Sequence, residues 1–376
     1  FVGGRHRLLF VLPSLGGGGA ERASVDLIRG LDRDRFEITV ALFARHGAFL
    51  QQLPSDISVY DLRGGDRYDL RLVFRLSTLL RRAQPDVVFG VLRYANLVTL
   101  LARWMASSKA KVIVNEQSLP SAEFALFGGA RLKGWFLRRL YPRADLVTAI
   151  SSGIARELTA VYRLPESKVR VIHNPVDLTR VRTMGDMTLE HPWYQLGLPV
   201  LVSVGRLNPE KGFAHLIRAF SAVRRTVACK LIILGEGSQR RELESLIAGL
   251  DLGHDVALPG FQDNPYNYMR NATAFALSSF YEGFGNVLVE ALALGVPVVS
   301  TRCPVGPEEI LTDGVTGLLV PPADEAALVR AMLRILTDDQ LRSELSANGP
   351  GRAADFAVGR IVSQYESIFE QLPGGA

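Results

Sequence analysis

The chain has 376 residues, of which 48% are hydrophobic and 22% charged; this is enough for two ordinary domains with cores of their own and excludes a disordered chain. It holds two cysteines, Cys229 and Cys303, too few and too far apart for a disulfide scaffold or a cysteine zinc site, and no run has the length of a membrane-spanning helix. The net charge of +5 conceals a split. Residues 1–185 carry 28 Lys/Arg against 16 Asp/Glu, and the remainder 15 against 22, so the first half is the one suited to an anionic partner.

The opening residues, FVGGRHRLLFVLP, have something of a signal peptide, but the apolar part is short and a glycine loop follows, so they read as a first strand. Strand-like runs recur at FEITVAL, DVVFGV, KVIVNE, LVTAIS and VRVIHN, with amphipathic helical stretches between them, as at Ala20–Leu31 and Leu70–Arg82. The chain is punctuated between Asn174 and Met187 by Pro175 and Gly185. The pattern then restarts with PVLVSVGR, KLIILGEG, DVALPG, AFALSS, VPVVST and GLLV, and FAVGRIVSQYESIFEQL closes the chain as one amphipathic helix. This alternation predicts an α/β protein with two parallel sheets. Ligands bind outside the carboxyl ends of parallel strands, so a site is expected in a cleft between two such domains, just after strands.

The unusual residues fall in those places. Four glycines, Gly16–Gly19, lead from the first strand into a helix, where the backbone can approach an anion. The register fails the dinucleotide fingerprint, because Glu21 and Arg22 stand where its last glycine is needed; this disfavours an oxidoreductase. Arg206 and Lys211 follow the first strand of the second half and suit a diphosphate. Gly235, Glu236, Gly260 and Phe261 follow the next two strands, placed to grip a nucleobase edge. Glu282 precedes a helix predicted over Asn286–Leu294, and Glu290 lies a turn inside it, in the apolar run VLVEALAL. A carboxylate there needs a partner, and acceptor-only groups suit hydroxyls. The backbone amides of Gly285, Asn286 and Val287 open that helix.

The Glu282/Glu290 pair within SSFYEGFGNVLVEALALGVPVVST resembles the E-x7-E signature of retaining family 4 glycosyltransferases of the GT-B fold. GRLNPEKGFAHLIRAF, ILGEGSQRREL, PGFQDNP, CPVGPEEIL, DGVTGLLVPPAD, GGGGAER and ISSGIARELTAVYRLPESKVRVIHNPVD match the same family in order, and the subfamily flavour is similar to bacterial surface-polysaccharide enzymes. The resemblance implies two Rossmann-like domains with facing sheets: residues 1–175 for the acceptor, 176–352 for a nucleotide sugar, and a helix over 353–376 crossing back. Arg206 and Lys211 would bind the donor diphosphate, Glu290 the ribose hydroxyls and Glu282 the sugar hydroxyls. Gly285, Asn286 and Val287 would face the sugar and β-phosphate, and Gly18 and Gly19 the phosphate. No metal or other cofactor is implied, only a nucleotide-sugar co-substrate, UDP-linked.

On the acceptor side Glu116 follows a strand, with Gln117 where many relatives carry a histidine. Glu116 either orients or deprotonates the acceptor hydroxyl or is structural, and both readings stay open. Arg93, Tyr94 and Asn96 are further acceptor candidates. Phe124–Arg143 mixes Phe, Leu and Trp with five cations, the composition of a segment lying on an anionic bilayer; the plain alternative is a helix packing its apolar side inward. Together these readings give a transferase acting on a polyprenyl-diphosphate-linked saccharide, cytoplasmic and peripheral on the inner face of the membrane. The alternatives are a soluble acceptor or a non-catalytic nucleotide-sugar-binding protein. Nucleic acid is disfavoured by the acidic second half.

Overall fold

The computed structural model describes residues 5–64, 69–127 and 130–374, with the backbone alone at 125–127, 130 and 131. The chain divides into two units: residues 1–175 joined by the segment from Val358, and Val176–Ala357.

The first unit is built on a seven-stranded sheet. Its strands are β1 (His6–Leu12), β2 (Phe36–Leu42), β3 (Ser58–Asp61), β4 (Val87–Val91), β5 (Lys111–Glu116), β6 (Leu146–Ala149) and β7 (Val169–Val171), in the order β3-β2-β1-β4-β5-β6-β7. Every pairing is parallel. Parallel strands joined by helical crossovers are covered on both faces, which is why Leu8–Leu12 of β1 and the whole of β4 read as runs without a polar side chain. β3 was absent from the sequence reading: it is four residues long, at the edge, with Ser58, Tyr60 and Asp61 exposed, so no apolar run announces it.

The closing helix, Val358–Gly374, belongs to this unit. Ile361, Val362, Tyr365, Ile368 and Phe369 enter its core beside Leu8, Phe10 and Phe36. Phe369 meets the rings of Phe10, Phe36 and Phe89 edge-on, and Arg35 pairs with Glu366 at 2.9 Å and with Glu370. The return from the second unit lies at Ala357–Val358.

The second unit carries β8 (Val200–Val204), β9 (Lys230–Leu234), β10 (Val256–Gly260), β11 (Ala274–Leu277), β12 (Val298–Thr301) and β13 (Leu318–Val320), in the order β10-β9-β8-β11-β12-β13. These strands are parallel throughout. Leu201, Leu231, Ile233 and Val299 pack against Phe213, Phe220 and Met332 from the crossover helices.

Candidate active site

In the second unit, β8 lies between β9 and β11. The crossover from β8 leads to β9 on one side and that from β11 leads to β12 on the other, which is the switch in strand order at whose carboxyl ends open α/β sheets bind ligands. Lys211 ends a single 3-10 turn, Pro209–Lys211, after β8. Gly212 follows with φ 62°, and a Cβ there would stand 2.2 Å from the carbonyl oxygen of Ser278. Glycine is what lets the two loops touch. Ser278 Oγ then donates to Lys211 O at 2.8 Å, and the Phe280 amide donates to Glu210 O at 2.8 Å. The result is a short ion pair: Lys211 Nζ donates to Glu282 Oε1 at 2.6 Å, and Ser279 Oγ donates to the same oxygen at 2.6 Å. Cys303 lies beside this pair, its thiol pushed up to about 12 by burial and by Glu282.

Arg206 stands apart. Its side chain is 72% exposed, and its acidic neighbour is Glu210, 3.7 Å away. Glu290 is buried in the second turn of the helix Asn286–Ala293, where Oε1 accepts from the Tyr266 hydroxyl at 3.2 Å. That bond is how the apolar run tolerates a glutamate. Gly285 caps the helix at φ 100°, with Asn286 and Val287 in its first turn. The tips of β9 and β10 meet where the Gly235 amide donates to Gly260 O at 2.9 Å. Glu236 is exposed and pairs with Arg240, and Phe261 is exposed.

The first unit has its own reversal of strand order, at β1 and β4. Gly18 caps the helix Gly19–Gly30 just beyond β1. Beyond β4, Leu92 adopts φ 72° and ψ 142°, a conformation that costs a non-glycine residue about 1–3 kcal/mol; it turns the chain so that Arg93 opens the helix Arg93–Ala106. Arg93 reaches both oxygens of Glu116, at 2.7 and 3.3 Å, and pairs with Glu123 at 2.7 Å. Tyr141 donates its hydroxyl proton to Glu116 at 2.7 Å, and Asn96 Nδ2 donates to Tyr141 at 3.1 Å and to Asn115 O at 3.0 Å. Burial pulls the Glu116 carboxyl upward, against Arg93 and the Tyr141 bond. Burial and then Glu116 hold Tyr141 well above the ordinary phenol range, which keeps it a donor.

Glu116, for which an acceptor role and a structural one were both open, is wholly buried, with both oxygens engaged inside the unit. Asn96 is also fully buried: its Nδ2 donates inside the unit, while its Oδ1 has no hydrogen-bond partner among the described residues. Tyr141, which the sequence reading did not single out, accepts from Asn96 and donates to Glu116, and so matches both polar groups within the fold. Tyr94 packs edge-on against Phe43 at 5.3 Å.

The stretch Phe124–Arg143 forms the helices Pro120–Phe127 and Ala130–Leu140 and a 3-10 turn, with Gly128 and Gly129 outside the described residues. Phe124, Leu137, Leu140 and Tyr141 are buried, whereas Leu132, Trp135 and Phe136 are exposed, with Arg139 5.7 Å from the Trp135 ring. Among the described residues no helix is long and apolar enough to cross a membrane.

Residues 17–180 match the family described as Glycosyltransferase Family 4, and 195–352 match Glycosyl transferases group 1. The chain is 32% identical over 369 residues to the N-acetylgalactosamine-N,N'-diacetylbacillosaminyl-diphospho-undecaprenol 4-alpha-N-acetylgalactosaminyltransferase of Campylobacter jejuni, covering 95% of this chain and 97% of that protein. It is a family 4 glycosyltransferase. This glycosyltransferase is also 29% identical to the lipopolysaccharide core biosynthesis glycosyltransferase LpsE of Rhizobium meliloti, over 95% of this chain and 97% of that one. Its GT-B fold is shared with the crystal structure of Anabaena HepE in complex with UDP-glucose, at TM-score 0.82 and 24% identity, over 97% and 99% of the two chains.

Proposed function

We propose that this glycosyltransferase moves a hexose or N-acetylhexosamine from a UDP-linked donor, with retention, to a polyprenyl-diphosphate-linked saccharide in bacterial polysaccharide synthesis. The observation that carries the donor side is the Lys211–Glu282 pair at the reversal of strand order in the second sheet. The acceptor class rests on the Campylobacter relatives, whose names specify undecaprenol-diphosphate-linked substrates, and the nucleotide on the UDP in HepE.

The chemistry follows from charge. Breaking the bond from the anomeric carbon to the diphosphate builds negative charge on the leaving group and positive charge on the sugar. Lys211 and Arg206 neutralise the first, helped by the amides that open the helix at Gly285–Val287, so the reaction is metal-independent. Glu282 is fixed by Lys211 and Ser279 to receive sugar hydroxyls, and Glu290 is fixed by Tyr266 to receive ribose hydroxyls. Attack on the face the diphosphate leaves gives retention, and a diphosphate oxygen takes the acceptor proton. The exposed Leu132, Trp135 and Phe136, among Lys133, Arg138 and Arg139, seat the enzyme peripherally on the inner face of the cell membrane.

The test offers UDP-GalNAc, UDP-GlcNAc and UDP-glucose with a polyprenyl-diphosphate-linked saccharide, with and without EDTA. Transfer of one sugar with α configuration by NMR, undiminished by EDTA, is expected. A β product, abolition by EDTA, or binding without turnover contradicts the reading. Flotation with anionic liposomes at low salt checks the membrane seat, which absence of binding removes.

A further inference from the structure

The first sheet is covered unequally on its two faces. The steps from β3 to β4, β4 to β5 and β5 to β6 all run the same way across it, and the step from β1 to β2 runs back. Right-handed crossovers therefore put the helices Arg71–Ala83, Arg93–Ala106 and Ala130–Leu140 on one face and Gly19–Gly30 on the other. In keeping with this, the first of the three packs on the second and the second on the third, while Gly19–Gly30 packs on the closing helix. The three helices carry four, two and four Lys/Arg and no Asp or Glu. The two helices of the other face carry three Lys/Arg against four Asp/Glu. The acids that flank the three basic helices, Asp69, Asp86, Glu116, Glu123 and Asp145, are each paired with an arginine, so the face stays cationic.

Apolar side chains stand among these cations. On Arg93–Ala106, Leu97, Leu101 and Trp104 form one stripe at i, i+4, i+7 spacing, the leucines half-buried and Trp104 75% exposed. On Arg71–Ala83 the exposed stripe is Phe74, Thr78 and Arg82, with Phe74 60% exposed. Ser77 Oγ meets Met105 Sδ at 3.5 Å, and Arg81 donates to Met105 O at 2.7 Å, so the two stripes are neighbours. A surface helix ordinarily turns charged or polar residues outward; the stripe of Leu97, Leu101 and Trp104 has none. We infer that the ridge of Phe74 and Trp104 is a docking surface for an anionic lipid bilayer, a contact additional to Leu132, Trp135 and Phe136. Charge selects this occupant. A second copy of the chain would bring the same cations against the ridge, whereas anionic headgroups complement them. An exposed indole, apolar in its ring and polar at its N–H, favours the headgroup level.

The inference rests on the membrane seat proposed above and deepens it, and its test separates the two. The full chain is floated at low salt with vesicles of phosphatidylglycerol and phosphatidylcholine, against vesicles of phosphatidylcholine alone. Phe74→Ser with Trp104→Ser is expected to lower partitioning onto the anionic vesicles about tenfold. Arg82→Gln is expected to lower it about fivefold, as for one cation at an anionic leaflet. Trp104 also reports directly. With Trp135→Phe and Trp193→Phe it is the one indole left of three, and its emission is expected to shift to the blue on the vesicles and to be quenched by lipids brominated along their acyl chains. If the serine pair does not fold, this measurement carries the test. No flotation of the wild type defeats the seat and the inference together. Flotation unchanged in the folded serine pair, or Trp104 left unquenched on bound vesicles, overturns the inference and leaves the seat at Leu132, Trp135 and Phe136 standing. Loss in the serine pair, with flotation kept by Leu132→Ser with Phe136→Ser, upholds the inference and removes that seat. A dimer in sedimentation without lipid, abolished in the serine pair, assigns the ridge to a second copy and also overturns the inference.

Discussion

The two units each hold a cation–glutamate pair at adjacent strand ends, Arg93 after β4 with Glu116 at the end of β5, and Lys211 after β8 with Glu282 after β11, and the two pairs are built for different ends. In the first unit Arg93 is spent: Glu116 takes it in a fork, Glu123 takes a further nitrogen, and Tyr141 donates to the Glu116 oxygen that Arg93 Nε also reaches. Its side chains are 8% and 1% exposed. In the second unit Lys211 makes one contact to Glu282, with the side chains 17% and 9% exposed, and an ammonium has three protons to give. A cation saturated by its own fold has nothing left for a diphosphate. A cation held at one point is aimed and still available. The contrast teaches that position after a strand selects candidates, while the count of remaining donors ranks them.

Each member of the comparison can be broken. The largest effect on activity is expected from Lys211→Ala: a loss of about 10²–10³ in kcat, the size seen when one preorganised charge is taken from a transition state, with little change in thermal midpoint. A variant of near-wild-type activity removes Lys211 from the mechanism. Glu116→Ala reverses the pattern and acts on stability. Leaving Arg93 buried beside Glu123 alone is expected to cost about 3–5 kcal/mol in denaturant unfolding, and a cost under about 1 kcal/mol would mean the pair is no better than a surface bridge. Arg206→Ala is expected to weaken UDP binding about tenfold, as for one charged hydrogen bond, without moving the unfolding midpoint, because the side chain lies in solvent. Smallest of all, Cys303 is expected to resist alkylation in the native protein up to pH 9. Its thiol is raised to about 12, so the reactive thiolate is scarce until far higher pH; rapid labelling at pH 8 would show the Lys211–Glu282 surroundings to be open.

Much of the fold was legible because parallel strands buried on both faces leave apolar runs, as at β1, β4, β8 and β12. β3 left none, being short and exposed. The positions of Lys211 and Glu282 could be read as post-strand residues, but their contact could not, because it depends on β8 and β11 lying side by side and on Gly212 letting the loops meet. Glu290 announced a missing partner by its apolar neighbours, yet Tyr266 lies 24 residues away on another short helix. The two readings of Glu116 could not be separated for a related reason. A polar residue at a strand end points either outward or into the unit, and here it meets Tyr141, 25 residues beyond Glu116, whose hydroxyl has no sequence signature.

The central claim is that Lys211, steadied by Glu282, receives the diphosphate of the donor. Isothermal titration of UDP into the wild type and into Lys211→Ala at equal ionic strength tests it most directly. The account predicts binding to the wild type and a loss of at least about tenfold in the variant. Equal affinity in the two proteins would contradict it.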